Sequence, residues 1–185
     1  GIGKAIAGAM LAEGANVIII GRTESKLLQA QAELGSGVEI MVCDITIESQ
    51  VTKVYETIMS NHGKLDILIN NAGSLINKPF SETSFNDFES IYKVNVFGLA
   101  ELIRLLLPGF HKKSHVVNIS SIGGIGGSSK FPGLSAYSSS KGALNILTEM
   151  LSEEFKDSGP SFNCLALGAV QTEMLEEAFP GFQAK

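Results

Sequence analysis

The sequence predicts an α/β fold built on a doubly wound parallel sheet. Three observations carry that expectation. Short apolar, β-branched runs recur along the chain, longer helical patterns separate them, and glycines stand where helices end. Continuous apolar runs of strand length suit parallel strands buried on both faces. Strand–helix alternation at this spacing implies right-handed crossovers between them. The 185 residues fit one domain, 1–185, and an apolar fraction of 44% is enough for a sizeable core.

The elements follow in order. A helix begins at once, near residues 3–13, and Gly14 stands at its end. Val17-Ile18-Ile19-Ile20 reads as a strand, 23–34 as a helix, Val38–Cys43 as a strand and 48–61 as a helix. Leu65–Asn70 is the next strand, 83–107 a long helix, Val116–Ser120 a strand, 136–157 a helix and Phe162–Leu167 a last strand. Gly14, Gly35, Gly63 and Gly159 occupy positions that favour a left-handed residue after a helix. A helix opening at Gly1 leaves the sheet without its first strand, so upstream residues are expected to supply it. The end at Phe182–Lys185 is as abrupt, and the chain reads as a fragment of a longer one.

Composition excludes several classes. Net charge is −5 and the longest basic block is Lys112-Lys113, so neither a nucleic acid nor an anionic membrane is an expected partner. Cys43 and Cys164 lie far apart with no CxxC, and His62, His111 and His115 lack ligand spacing, so no disulfide framework or metal site is expected. No run approaches a membrane span. A cytoplasmic location is expected.

The chemistry-bearing segments lie at strand ends. Gly1-Ile2-Gly3 at a helix N-terminus permits close approach of a phosphate to the backbone, although a plain helix-starting turn explains it as well. After the strand Val17–Ile20 come Gly21 and Arg22. In dinucleotide-binding folds an arginine there accommodates a 2′-phosphate where an acidic residue would bind ribose hydroxyls, which favours NADP over NAD; a solvated arginine is the bland alternative. Asp44 either caps the helix that follows or bonds an adenine amino group, and both can hold. Asn70-Asn71-Ala72-Gly73 closes an apolar strand where ligands bind such sheets, though a turn alone accounts for Asn-Ala-Gly. Asn95 sits in an apolar helical pattern and must find partners, as a satisfied structural amide or as a functional one. Ser121 closes the strand Val116–Ser120, and Tyr137 follows sixteen residues later, so their hydroxyls can converge on one carbonyl.

Tyr137-Ser138-Ser139-Ser140-Lys141 places a phenol and an ammonium one helical turn apart, on one face. Such a pair arises readily by chance, and it gains meaning only with the segments above. Together these residues resemble the short-chain dehydrogenase/reductase family, in the family's order and from Gly1 to about Thr172. The resemblance implies a Rossmann-type domain and a small-molecule carbonyl or alcohol substrate. Tyr137 would be the general acid or base, and Lys141 would lower its pKa and bind the nicotinamide ribose. Ser121 would polarise the carbonyl and Asn95 would anchor a relay water. Gly1, Ile2, Gly3, Asn71, Ala72, Gly73 and Asp44 would line the cofactor, and Gly168, Val170 and Thr172 would meet its nicotinamide end. Free tyrosine ionises near pH 10, too high for a base at neutrality, and a neighbouring ammonium favours the phenolate.

This sequence departs from the family pattern in four places: Leu167 replaces a proline before Gly168, the glycine-rich segment 123–129 lengthens the Ser121–Tyr137 interval, the first motif glycine and its strand are absent, and the chain stops before the family's last, C-terminal strand. The resemblance also implies a homodimer or homotetramer joined through the helices that carry Leu99–Leu107 and Tyr137. A nucleotide-binding regulator without turnover and an epimerase or lyase are the alternative functions.

Overall fold

The computed structural model describes residues 1–35 and 37–184. Its elements run α1 (Ile2–Ala12), β1 (Val17–Gly21), α2 (Glu24–Leu34), β2 (Val38–Val42), α3 (Glu48–His62), β3 (Leu65–Asn70) and α4 (Phe85–Tyr92). A π-helical turn over Lys93–Gly98 leads into α5 (Leu99–Leu106), followed by β4 (Phe110–Ser121), α6 (Ser135–Glu154), β5 (Ser161–Leu167) and α7 (Glu173–Ala178). Every strand pairing is parallel: β1 with β2, β3 with β4, and β4 with β5. The expected α/β parallel architecture is what forms.

The strands make two sheets, β1–β2 and β3–β4–β5. Between β1 and β3 lies a cleft of about 1090 Å³, lined by Ala7 of α1, Ile18 and Ile20 of β1, and Ile67 and Ile69 of β3. The cleft separates the two sheets. The strands are consequently less covered than their apolar sequences predict: β1 is half-buried throughout and Ile67 is 43% exposed.

Helical periodicity explains the core. Val51, Val54 and Ile58 of α3 face Leu99, Leu102 and Leu106 of α5, joined by Cys43, Ile45 and Leu144. Spacings of three, four and seven residues put such side chains on one stripe, and each fully buried one contributes about 1.5–3 kcal/mol. A second cluster sets Ile103 on Val116 and Phe162.

Several boundaries differ from the sequence reading. The long helix over 83–107 is broken by the π-turn, which contains Asn95. β4 begins at Phe110 rather than Val116, because buried Ser114 donates to the Leu65 carbonyl at 2.7 Å and joins the polar segment to β3. Gly14, Gly35 and Gly63 have the expected positive φ, but Gly159 does not. There α6 has ended at Glu154, and a Cβ on Gly159 would fall 2.6 Å from the Phe155 ring, so close packing is what glycine serves. α7 was not anticipated.

Candidate active site

α6 presents the Tyr137–Lys141 pair in its first turns. The Lys141 ammonium lies 5.8 Å from the centre of the Tyr137 ring, over its face. Lys141 is 4% exposed. Its Nζ donates to the Ile119 carbonyl of β4 at 2.9 Å, and Ser120 Oγ donates to the Lys141 carbonyl at 3.2 Å. Burial lowers the Lys141 pKa to about 8. Burial also pushes the Tyr137 phenol up, with the Ser121 hydroxyl pulling it part of the way back. The expected depression of the phenol by the ammonium is therefore not what this geometry produces. The ammonium lies over the ring and donates to a strand carbonyl, and burial outweighs the pull of Ser121 on the phenol.

Ser121 ends β4, and its Oγ accepts from the Gly123 amide at 3.2 Å. A Cβ on Gly123 would lie 2.9 Å from Ser138 Oγ, and one on Gly124 would lie 2.6 Å from the backbone of Lys141 and Gly142. Bare backbone here lets the segment after Ser121 seat directly on α6, beside Tyr137 and Lys141.

Asn95 is wholly buried in the π-turn. Its Nδ2 donates to the Ser74 carbonyl at 2.9 Å and to Ser140 Oγ at 3.0 Å, and its Oδ1 accepts from the Ser74 amide at 2.7 Å. Ser140 Oγ donates onward to the Tyr137 carbonyl at 2.7 Å. The amide is thus fully satisfied, and it clamps the turn after Gly73 to the tyrosine helix. A Cβ on Gly73 would lie 3.5 Å from Asn95 Oδ1 and 3.6 Å from Lys141 Nζ, so the turn passes beside the lysine. Ser74 and Ser140 escaped the sequence reading. Ser140 read only as a small spacer between Tyr137 and Lys141.

The remaining candidates line the carboxyl ends of the strands. Gly1 caps α1, and Ile2 is its first helical residue. A Cβ on Gly3 would lie 2.7 Å from Asn71 Nδ2, so the α1 turn and the Asn71-Ala72-Gly73 turn approach backbone to side chain. A Cβ on Gly1 would lie 4.0 Å from the Thr172 methyl, while one on Gly168 would meet open space. Thr172 Oγ1 accepts from the Leu175 amide at 3.2 Å and caps α7. Val170 is 40% exposed.

Asp44 does not cap α3, whose N-cap is Ile47. Its Oδ1 accepts instead from the Thr46 amide at 2.9 Å and the Thr46 hydroxyl at 2.7 Å. Partial burial raises the Asp44 pKa, but the Thr46 bonds and the positive charges of Arg22 and Lys93 prevail and hold it low. Arg22 therefore stands near Asp44, just past the carboxyl end of β1. An open helix N-terminus, glycines where a Cβ would intrude, and an arginine past β1 fit a dinucleotide cofactor.

A family model described as short chain dehydrogenase matches residues 1–181. A fatty acyl-CoA reductase of Acinetobacter baylyi is 34% identical over 95% of this chain and 61% of its own length. A short-chain dehydrogenase of Streptomyces avermitilis superposes with a TM-score of 0.84 at 34% identity, over 94% of this chain and 64% of that one. The Pseudomonas aeruginosa RhlG/NADP active-site complex superposes with a TM-score of 0.88 at 26% identity, over 96% of this chain and 72% of that one. The chain thus spans less than two thirds of the first two.

Proposed function

Because the chain belongs to the short-chain dehydrogenase/reductase family of oxidoreductases, we propose that it interconverts a carbonyl and an alcohol with NADP as hydride carrier. The observation that supports this most is the convergence of Ser121, Tyr137, Lys141 and Asn95 at the ends of β3 and β4. The cofactor supplies or accepts the hydride at the carbonyl carbon. The chain's own groups handle the accompanying proton. Tyr137 Oη donates it to the carbonyl oxygen during reduction and takes it back during oxidation. Ser121 Oγ donates a hydrogen bond to the same oxygen and stabilises the charge that develops there. With its phenol pushed up, Tyr137 stays protonated at neutral pH, the state that reduction requires.

Lys141 binds the nicotinamide ribose, and Asn95 holds the turn at Gly73 against α6. Gly1, Ile2 and Gly3 receive the diphosphate at the α1 N-terminus, with Asn71, Ala72 and Gly73 flanking it. Asp44 bonds the adenine, and Gly168, Val170 and Thr172 line the nicotinamide end. Arg22 meets the 2′-phosphate. We read residues 1–185 as one such domain, cytoplasmic, acting on a small-molecule carbonyl as part of a homodimer or homotetramer. No helix among the described residues is long and apolar enough to cross a membrane.

Consumption of NADPH with a panel of ketones and aldehydes, followed at 340 nm, tests the reading. Tyr137→Phe should lower kcat by about a thousandfold or more while NADPH still binds. An unimpaired Tyr137→Phe enzyme would refute the assignment. Arg22→Ser should cut the preference for NADPH over NADH by about tenfold or more, and a wild-type preference for NADH would end the NADP assignment.

A further inference from the structure

Behind the site runs a chain of buried polar side chains that the proposed chemistry does not use. Asn70 Nδ2 donates to Asn118 Oδ1 at 2.8 Å, and Asn118 Nδ2 donates to Thr148 Oγ1 at 2.8 Å. Thr148 Oγ1 in turn donates to the Leu144 carbonyl at 2.7 Å. Asn70, Asn118 and Thr148 are 2%, 0% and 3% exposed. The chain therefore links β3, β4 and α6 inside the protein. Thr148 Oγ1 donates to Leu144 and offers its lone pairs to Asn118.

Location gives this link its significance. Thr148 stands seven residues after Lys141, two helical turns on and on the same face of α6. The two are anchored to successive residues of β4, Lys141 to the Ile119 carbonyl and Thr148 to the Asn118 amide. Ser120 Oγ adds a third tie, to the Lys141 carbonyl. At the other end Asn70 directly precedes Asn71-Ala72-Gly73, and Gly73 passes beside Lys141 Nζ. One set of hydrogen bonds thus registers the catalytic helix against both strands whose ends hold the cofactor. A helix displaced along β4 would carry the Tyr137 hydroxyl away from a carbonyl that the strands hold in place.

We propose that Thr148 is a positioning residue for the Tyr137–Lys141 pair, acting through Asn118. It touches neither substrate nor cofactor, and the inference rests on the oxidoreductase reading of the site. Thr148→Val keeps the side-chain shape and removes the acceptor, which strands the Asn118 N–H in a fully buried place. Thr148→Ser keeps the acceptor.

The decisive experiment reads the purified protein in two ways, with thermal melts as a control. Steady-state kinetics with NADPH and a carbonyl substrate should show kcat lowered about tenfold in Thr148→Val, with the KM for NADPH changed far less and Thr148→Ser returning to near wild type. Competitive acetylation across pH, followed by mass spectrometry of the Lys141 peptide, reports the lysine's environment without needing turnover. The titratable groups that influence it are Tyr137 on its own helix and Cys164 on β5. Its midpoint should move in Thr148→Val and not in Thr148→Ser. If Thr148→Val does not fold, Thr148→Ala decides by the same readouts. A folded hydroxyl-less variant with wild-type kcat and an unmoved Lys141 midpoint overturns the proposal. So does a loss of kcat that Thr148→Ser shares, because the hydroxyl would then not be its source. A wild-type protein without turnover, yet with the Lys141 midpoint displaced in Thr148→Val, would instead strike the oxidoreductase reading and leave the positioning link standing.

Discussion

Lys141 presents one charge to two partners inside the protein, the ring face of Tyr137 and the Ile119 carbonyl. Its pKa of about 8 makes a prediction about stability, and the sign can be worked out. An unfolded lysine ionises near 10.4, so between pH 8 and that value the unfolded chain binds more protons than the folded one. Stability must then rise with pH in this window, by up to about 1.4 kcal/mol per pH unit. Tyr137 works in the opposite sense. The unfolded phenol ionises near pH 10 while the buried one resists, so stability falls above that point. Urea unfolding of wild type and Lys141→Met from pH 7 to 10 should show the wild type gaining on the variant between pH 8 and 10. Parallel curves would mean that Lys141 is not held neutral-leaning by its burial. At this scale the sequence places Tyr137 and Lys141 on one helical face, as the fold does, but does not give their electrostatics. Four-residue spacing predicts that two side chains share a face. It does not predict which carbonyl the ammonium will find, and Ile119 lies twenty-two residues away along the chain.

Local elements were legible wherever their signals are local. The helices closed by Gly14, Gly35 and Gly63 end where the glycines said they would, each with positive φ. α4 begins at a capping box that can be read directly from Ser84-Phe85-Asn86-Asp87. Ser84 Oγ accepts from the Asp87 amide at 3.1 Å, and the Asp87 carboxylate accepts from the Ser84 amide at 2.8 Å. Ser84→Ala should therefore cost about 1 kcal/mol of stability and leave turnover unchanged, as paired urea melts and kinetics would show. An unchanged midpoint would mean that tertiary contacts, not the cap, hold this end of α4. The π-turn was illegible for the opposite reason. Val94-Asn95-Val96-Phe97 has ordinary helical periodicity, and the widened turn is tied to contacts that Asn95 makes with Ser74 and Ser140, twenty-one and forty-five residues distant. The same distance effect hid the start of β4, where Ser114 makes a polar segment pair by reaching back to Leu65.

For the whole molecule, the apolar surface is where sequence and fold part company most usefully. The resemblance placed the Leu99–Leu107 helix at an interface between copies, and the fold buries its Leu99, Leu102, Ile103 and Leu106 inside the domain. What stays outside is a different set: Phe97 at 60% exposure, and Ile146 and Met150 of α6 at 59% and 61%. Ile146 and Met150 are four residues apart and so share one face of the helix that carries Tyr137. α6 packs on α4 and on the π-turn that bears Phe97, which puts these residues and the Tyr137–Lys141 pair on one packed group of helices. A specific dimer needs about 1,000 Å² or more of buried surface, and paired helices from two copies can supply it. Light scattering should accordingly find a dimer or tetramer, and Ile146→Glu combined with Met150→Lys should shift it toward monomer. If the variant loses turnover as it dissociates, the pairing also steadies α6 and the Tyr137–Lys141 geometry it carries. If it dissociates with turnover intact, each copy positions its own site through the Asn118–Thr148 link alone. A wild type that is monomeric at high concentration removes the interface altogether, and the exposed face of α6 then needs another occupant.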